Sequence, residues 1–213
     1  RFQRTFSQVF DMVFGPLDHA LGASQRVRRI HDGVKGPGYH ANDPQALLWV
    51  HATLVDSVVL AHETFIGPIS EATKEAYHRE SARFAWLFGI GDDLYPTSWA
   101  DFQRYMRKTL EGPVLAIGDA ALTIRADLFQ AKRPAHAPLW RWYENLTTGL
   151  LPPRLREELA LPWGRADRAA FRVSVRAVRA GYRRAPRRLR WLPAASPVCV
   201  WMASRACVSV SKT

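Results

Sequence analysis

The chain has 213 residues, enough for a sizeable helical core, and its 47% hydrophobic and 23% charged content excludes wholesale disorder. Its net charge of +11 is concentrated at one end: residues 165–213 hold 12 Arg or Lys against one acid, Asp167, which leaves 18 basic and 18 acidic side chains in residues 1–164. The body is therefore neutral and lacks the electrostatic footprint of a nucleic-acid binder, so any polyanion affinity belongs to the tail.

In chain order, 5-TFSQVFDMVF-14 reads as a short apolar helix closed by Gly15-Pro16. A second helix runs from Leu17 to Val34 and stops at 36-GPG-38. Asp43 then offers an N-cap with Pro44 at the first helical position, opening a long helix to Phe65 that Gly67-Pro68 ends. Ser70 starts an amphipathic helix to Gly89, and Ser98 with Asp101 forms a capping-box pattern ahead of a helix through Leu110. Further helices are expected over 115–131, 138–149, 153–160 and 165–183. No strand alternation stands out, and the fold class is all-α: one bundle-like helical domain over residues 1–192, with 193–213 an atypical tail.

Only Cys199 and Cys207 occur, both in that tail, so no disulfide framework supports the body. No apolar run follows a basic start, which reads as no signal peptide. A cytoplasmic setting, at most peripheral to a membrane, is the expectation. The most apolar window, 47-LLWVHATLVDSVVLAHETF-65, carries His51, Asp56, His62 and Glu63 and reads as a buried helix rather than a membrane span. His51, Val55, Val58 and His62 step along one face, yet the two histidines are separated by about 16 Å of helix axis at 1.5 Å per residue. They cannot share one metal.

The candidate chemistries narrow by elimination. A di-iron bundle needs two Glu-x-x-His pairs, and only 75-EAYH-78 is present, on a helix whose charge favours a solvated His78. Zinc spacings, phosphate loops and nucleophile elbows are missing from the sequence. A cofactor that asks for one strong protein ligand, such as haem b, stays compatible. In 28-RRIHDGVK-35, Arg28 and Lys35 lie three before and four after His31, on one side of a continuing helix, where they suit two propionates. A solvated histidine among arginines is the competing reading.

Four segments, 28-RRIHDGVKG-36, 44-PQALLWVHATLVDS-57, 145-NLTTGLLPPRLRE-157 and 161-LPWG-164, resemble the bacterial family related to latex-clearing protein. With the fungal oxygenase MpaB, that family shares the rubber-oxygenase catalytic domain, and the resemblance covers roughly residues 1–192. It implies that an Arg-x-x-His-x-x-x-Arg motif carries the proximal haem ligand. Matched here, the motif gives Arg28, His31 as iron ligand, and Lys35 in place of the last Arg, which keeps the charge and loses the planar fork. A distal motif of Arg, two residues, then Lys-Thr corresponds to Arg1, Arg4 at the Lys position, and Thr5, which could equally cap a helix. His51 lies within a family-like stretch without a matched role. The implied chemistry is use of O2 at haem b to cleave an isoprenoid-type double bond of an apolar small-molecule substrate.

The tail departs from that pattern beyond Pro193. Before it, Arg165, Arg168, Arg172, Arg176, Arg179 and Arg183 form a stripe beside Phe171, Val175, Val178 and Tyr182. This basic amphipathic helix supports an alternative, a non-catalytic helical protein that binds anionic membrane surfaces through residues 165–183.

Overall fold

The computed structural model describes residues 9–13, 15–129 and 134–186. Residues 9–13 are helical. They precede α1 (Leu17–Asp32), a small hairpin of β1 (Lys35–Gly36) and β2 (Tyr39–His40), α2 (Pro44–Phe65) and α3 (Glu71–Leu87). Then come α4 (Trp99–Glu111), α5 (Asp119–Phe129), a 3₁₀ turn (Pro134–His136), α6 (Ala137–Leu150), α7 (Pro153–Glu158) and α8 (Arg165–Arg184). The described chain is essentially all-α; the antiparallel hairpin, with Lys35 opposite His40, and the 3₁₀ turn are additions to the expected elements.

The local signals act where the sequence put them. Asp43 Oδ1 accepts hydrogen bonds from the Gln45 and Ala46 amides at 2.7 and 3.2 Å, satisfying two donors that the start of α2 leaves open. At α4, Ser98 Oγ accepts from the Asp101 amide at 3.1 Å and donates to Asp101 Oδ2 at 2.7 Å. The end of α3 is a Schellman turn: Ile90 N–H reaches the Ala85 carbonyl, Gly89 N–H the Trp86 carbonyl, and Gly89 takes φ +79°. α1 stops two residues earlier than expected, at Asp32, where the Gly33 and Val34 amides close back on Ile30 and His31.

The chain divides into two compact units. The first comprises the described residues up to Asp56 together with Glu71–Phe102 and residues 185–186. Its core draws Ala20 and Ala23 from α1, Leu48, Ala52 and Val55 from α2, Ala82 and Ala85 from α3, and Ile90, Tyr95, Trp99 and Phe102 beyond. The alanines let α1 and α3 approach closely, and the aromatic rings supply the bulk of the core.

The second unit comprises Ser57–Ser70 and Gln103–Arg184. Within it α6 packs on α8: Trp142 Nε1 donates to Ser174 Oγ, Asn145 Nδ2 to the Asp167 carbonyl, and the Phe171 ring lies directly on Gly149. Arg154 gathers the loose end of α4 by donating to the carbonyls of Leu110, Gly112 and Leu115 at 2.6–2.9 Å. Arg179 closes the end of α2, donating to the Glu63 and Thr64 carbonyls at 2.7 Å.

Two expectations for the long helix change. By length and composition α2 is apolar enough to cross a membrane, and only a third of that window is buried. Nor do its histidine steps share one environment: His51 and Val55 are buried, Val58 is 53% exposed, and His62 is half-buried with Nδ1 hydrogen-bonded to the Gly67 carbonyl. Steps of four, three and four keep these positions within about 60° of one another around the axis, so the change in burial runs along the helix and not around it.

Candidate functional site

In the first unit, α1 and α2 lay their apolar faces around a cavity of about 430 Å³. α1 contributes Arg26, Val27, Ile30 and His31, and α2 contributes Leu47, Val50, His51 and Leu54. Met12 closes one side, and Phe84, Phe88 and Ile90 close another. The volume lies within the roughly 300–1,000 Å³ range of small-molecule sites, and the lining has their usual make-up, apolar with few polar groups. Those polar groups are two imidazoles and one guanidinium.

The structure thus brings His31 and His51 together, 20 positions apart in sequence, and leaves the flanking cations out. At about 100° per residue, Arg26, Val27, Ile30 and His31 span one arc of α1, and Arg28 falls about 60° beyond its edge. Arg28 is instead packed against the α3 turn, where a Cβ on Gly89 would come within 3.0 Å of its Nη1. Lys35 sits exposed on β1, after the helix has ended, so it cannot lie one helical turn past His31. Arg26 is the cation in the cavity wall, and sequence reasoning missed it. Its signal was available: Arg26 precedes Ile30 by four residues on the apolar edge of α1.

His31 is half-buried, and its Nδ1 is buried without a hydrogen-bond partner among the described residues. His51 is 4% exposed, stacks on Phe84 with ring centroids 5.7 Å apart, and turns Nε2 toward the Tyr95 hydroxyl at 3.5 Å. Its Nδ1 also lacks a partner among the described residues. Burial, helped by the nearby His78, lowers the His51 pKa from 6.5 to about 4, so the ring is neutral at physiological pH.

Behind His51 lies a small polar cluster inside the aromatic core. The Tyr95 hydroxyl is 3.3 Å from His78 Nδ1, 2.9 Å from Ser81 Oγ and 3.0 Å from the His78 carbonyl. Burial pushes the Tyr95 phenol above its ordinary value. His78 is 1% exposed, stacks on Tyr95 and hydrogen-bonds through Nε2 to the Pro96 carbonyl at 2.8 Å. The expected solvated His78 is therefore a core residue. Its partner in the Glu-x-x-His pair, Glu75, accepts the Trp99 amide and caps α4. Tertiary packing overrode the charged neighbourhood, because His78 faces inward from a helix whose other flank is wet.

Arg1, Arg4 and Thr5 lie outside the described residues, as do Cys199, Cys207 and the tail from residue 187 on. Of the stripe in α8, Arg165, Arg168, Arg172, Arg176 and Arg183 are exposed; Arg168 also donates to the Trp163 carbonyl, and the half-buried Arg179 donates to α2.

Residues 1–180 match the family described as ER-bound oxygenase mpaB/B'/Rubber oxygenase, catalytic domain. The chain belongs to this family. Membership in the mpaB/rubber-oxygenase family is what the resembling segments around His31 and His51 anticipated. Among curated proteins, the chain is 27% identical over 163 residues to the uncharacterised proteins Mb2261 of Mycobacterium bovis and Rv2237 of Mycobacterium tuberculosis. Each alignment covers 76% of this chain and 64% of the relative, so the chain spans less than two thirds of their length. No solved structure shows a significant match.

Proposed function

We propose that this domain is a haem b-dependent oxygenase of the mpaB/rubber-oxygenase type, with His31 as the iron's protein ligand and an apolar, unsaturated isoprenoid-type molecule as substrate. The observation that carries the reading is His31 itself: an imidazole in the wall of an apolar cavity, its Nδ1 unpartnered among the described residues, in an oxygenase catalytic domain.

The donor set fits such a group. No cluster of three or more His, Cys, Asp or Glu side chains occurs among the described residues, so they offer single ligands rather than a metal cage. A porphyrin supplies four ligands of its own and asks the protein for one imidazole. Arg26 is placed to meet a propionate, while Arg28 and Lys35 can act only from outside the cavity wall. The apolar walls exclude water, which strengthens every polar contact made inside. Neutral His51 adds no charge to them. When bound, haem iron supplies the centre at which O2 is activated for oxidative cleavage of a carbon–carbon double bond. Arg1, Arg4 and Thr5 are assigned to the oxygen side by the resemblance alone.

The test is the visible spectrum and haem content of the purified chain beside His31→Ala, each with haem supplied. Near-stoichiometric haem with a Soret band that is lost or shifted in the variant is the expected result. A folded, colourless wild type, or a variant with an unchanged band, sinks the assignment.

A second reading rests on α8. It contains no buried residue, and five of its six stripe arginines are exposed, as a helix lying on an anionic membrane requires. Colourless protein whose vesicle binding disappears in an Arg165→Glu/Arg172→Glu/Arg176→Glu variant would favour it.

A further inference from the structure

Behind the cavity wall stands a polar cluster that the proposed chemistry leaves unused. Tyr95 is 8% exposed, the one buried tyrosine among the described residues, and its ring centroid lies 5.6 Å from that of His51, which lines the cavity. The hydrogen bonds around Tyr95 fix where its proton can go. The Pro96 carbonyl only accepts, so the 2.8 Å contact assigns a hydrogen to His78 Nε2. In the neutral ring the lone pair is then on Nδ1, 3.3 Å from the Tyr95 oxygen. The Ser81 hydroxyl and the His78 carbonyl also meet that oxygen, at 2.9 and 3.0 Å, but neither is a base. Once protonated, His78 donates from both nitrogens, to Pro96 and to Tyr95, so no buried donor is stranded. Trp99 is the other oxidisable ring beside His78. Its Nε1 is buried without a partner among the described residues, and its oxidation would leave an unneutralised cation in the apolar core.

We propose that Tyr95 and His78 form a redox-active pair: an oxidising equivalent left in the cavity without substrate takes one electron from Tyr95, whose hydroxyl proton passes to His78 Nδ1. The Tyr95 O–H bond breaks, an N–H bond forms on His78, and a neutral tyrosyl radical faces an imidazolium. The electron crosses only the His51 ring to reach the cavity, and drawing it from Tyr95 spares the side chains of the cavity wall. The pair rests on the haem reading for its oxidant, a haem that has lost electrons to peroxide. Hydrogen peroxide is the co-reactant: its O–O bond breaks as it takes two protons from solvent and two electrons, one from the haem and one from Tyr95, to give water.

The test is electron paramagnetic resonance of the full chain, supplied with haem and frozen promptly after hydrogen peroxide is added without substrate. The expected result is a tyrosyl radical in the wild type that is lost in Tyr95→Phe and falls roughly tenfold or more in His78→Gln, which removes the proton acceptor. A merely structural Tyr95 gives no radical at all. Should either variant misfold by circular dichroism, two measurements replace it. Placing 3-fluorotyrosine at position 95 keeps the hydroxyl and must add a fluorine splitting to the signal. Labelling histidine nitrogen in the wild type must reveal, by electron–nuclear double resonance, a histidine nitrogen coupled to the radical. A haem-loaded wild type without a tyrosyl signal, or a signal unchanged by these substitutions and labels, overturns the pair and leaves the haem assignment intact. Colourless protein defeats the haem assignment instead. The oxidant is then photogenerated ruthenium(III) tris(bipyridine), and the more exposed tyrosines contribute equally to wild type and Tyr95→Phe. A radical present in the difference between those two supports the pair, and an empty difference overturns it.

Discussion

Replacing His51 tests the electrostatics of the site directly. Folding takes its imidazole from an ordinary 6.5 to about 4, chiefly by removing it from water. At 1.36 kcal/mol per pH unit this displacement is worth roughly 3 kcal/mol. The sign follows from proton counting: between those two values the unfolded chain binds a proton that the folded ring refuses. The contribution is therefore complete above about pH 6.5, declines as pH falls through the window, and is gone below about pH 4. His51→Leu removes the titrating group at similar volume. At neutral pH it should cost little, because Nδ1 has no partner to lose and the Nε2 contact is a long 3.5 Å. The assay is urea unfolding of wild type and variant at several pH values from about 7 to about 4, beside a ring-proton NMR titration of His51. The variant should lose roughly 3 kcal/mol less than wild type across the window, and the His51 resonance should stay neutral at pH 5. Equal slopes in the two proteins, or a His51 resonance titrating at 6 or above, would refute the buried-neutral reading.

Tyr95→Phe keeps the ring in the core and deletes the hydroxyl that meets Ser81 and His78, so stability should fall by about 2 kcal/mol without a cavity term; a loss under about 0.5 kcal/mol in urea unfolding would show that the cluster is not formed. Gly149→Ala places a Cβ against the Phe171 ring, itself held edge-on by Trp163, and overpacking of this kind costs about 1–3 kcal/mol against a helix-propensity gain of about 1. Adding Phe171→Leu should restore part of that loss in a double-mutant cycle, and additive effects would mean that α6 and α8 do not meet there.

Much of the architecture was legible because it is local. Asp43-Pro44, Ser98 with Asp101, and Gly89 set helix boundaries through hydrogen bonds and φ preferences that act within a few residues. The resembling segments around His31 and His51 likewise identified the oxygenase family from short runs of chain. The site itself was only half legible. His31 and His51 were singled out separately, but nothing in their spacing says that one cavity receives both. Arg28 and Lys35 looked like cofactor partners because a continuous helix was assumed past His31; the helix ends at Asp32, and the Arg28 guanidinium lies beside Gly89.

His78 shows the same limit from the other side. Its charged neighbours made a wet face the natural reading, whereas Pro96, Tyr95 and Phe102 enclose it from positions 17–24 residues away. Sequence by itself determined the helices and their punctuation, since caps, breakers and apolar periodicity are short-range physics, and its resembling segments pointed to the family. Tertiary structure alone decided which polar groups are dry and which cations reach the cavity. Burial depends on the crossing of α1, α2 and α3, and that crossing is set by the summed packing of many side chains rather than by any one stretch of chain.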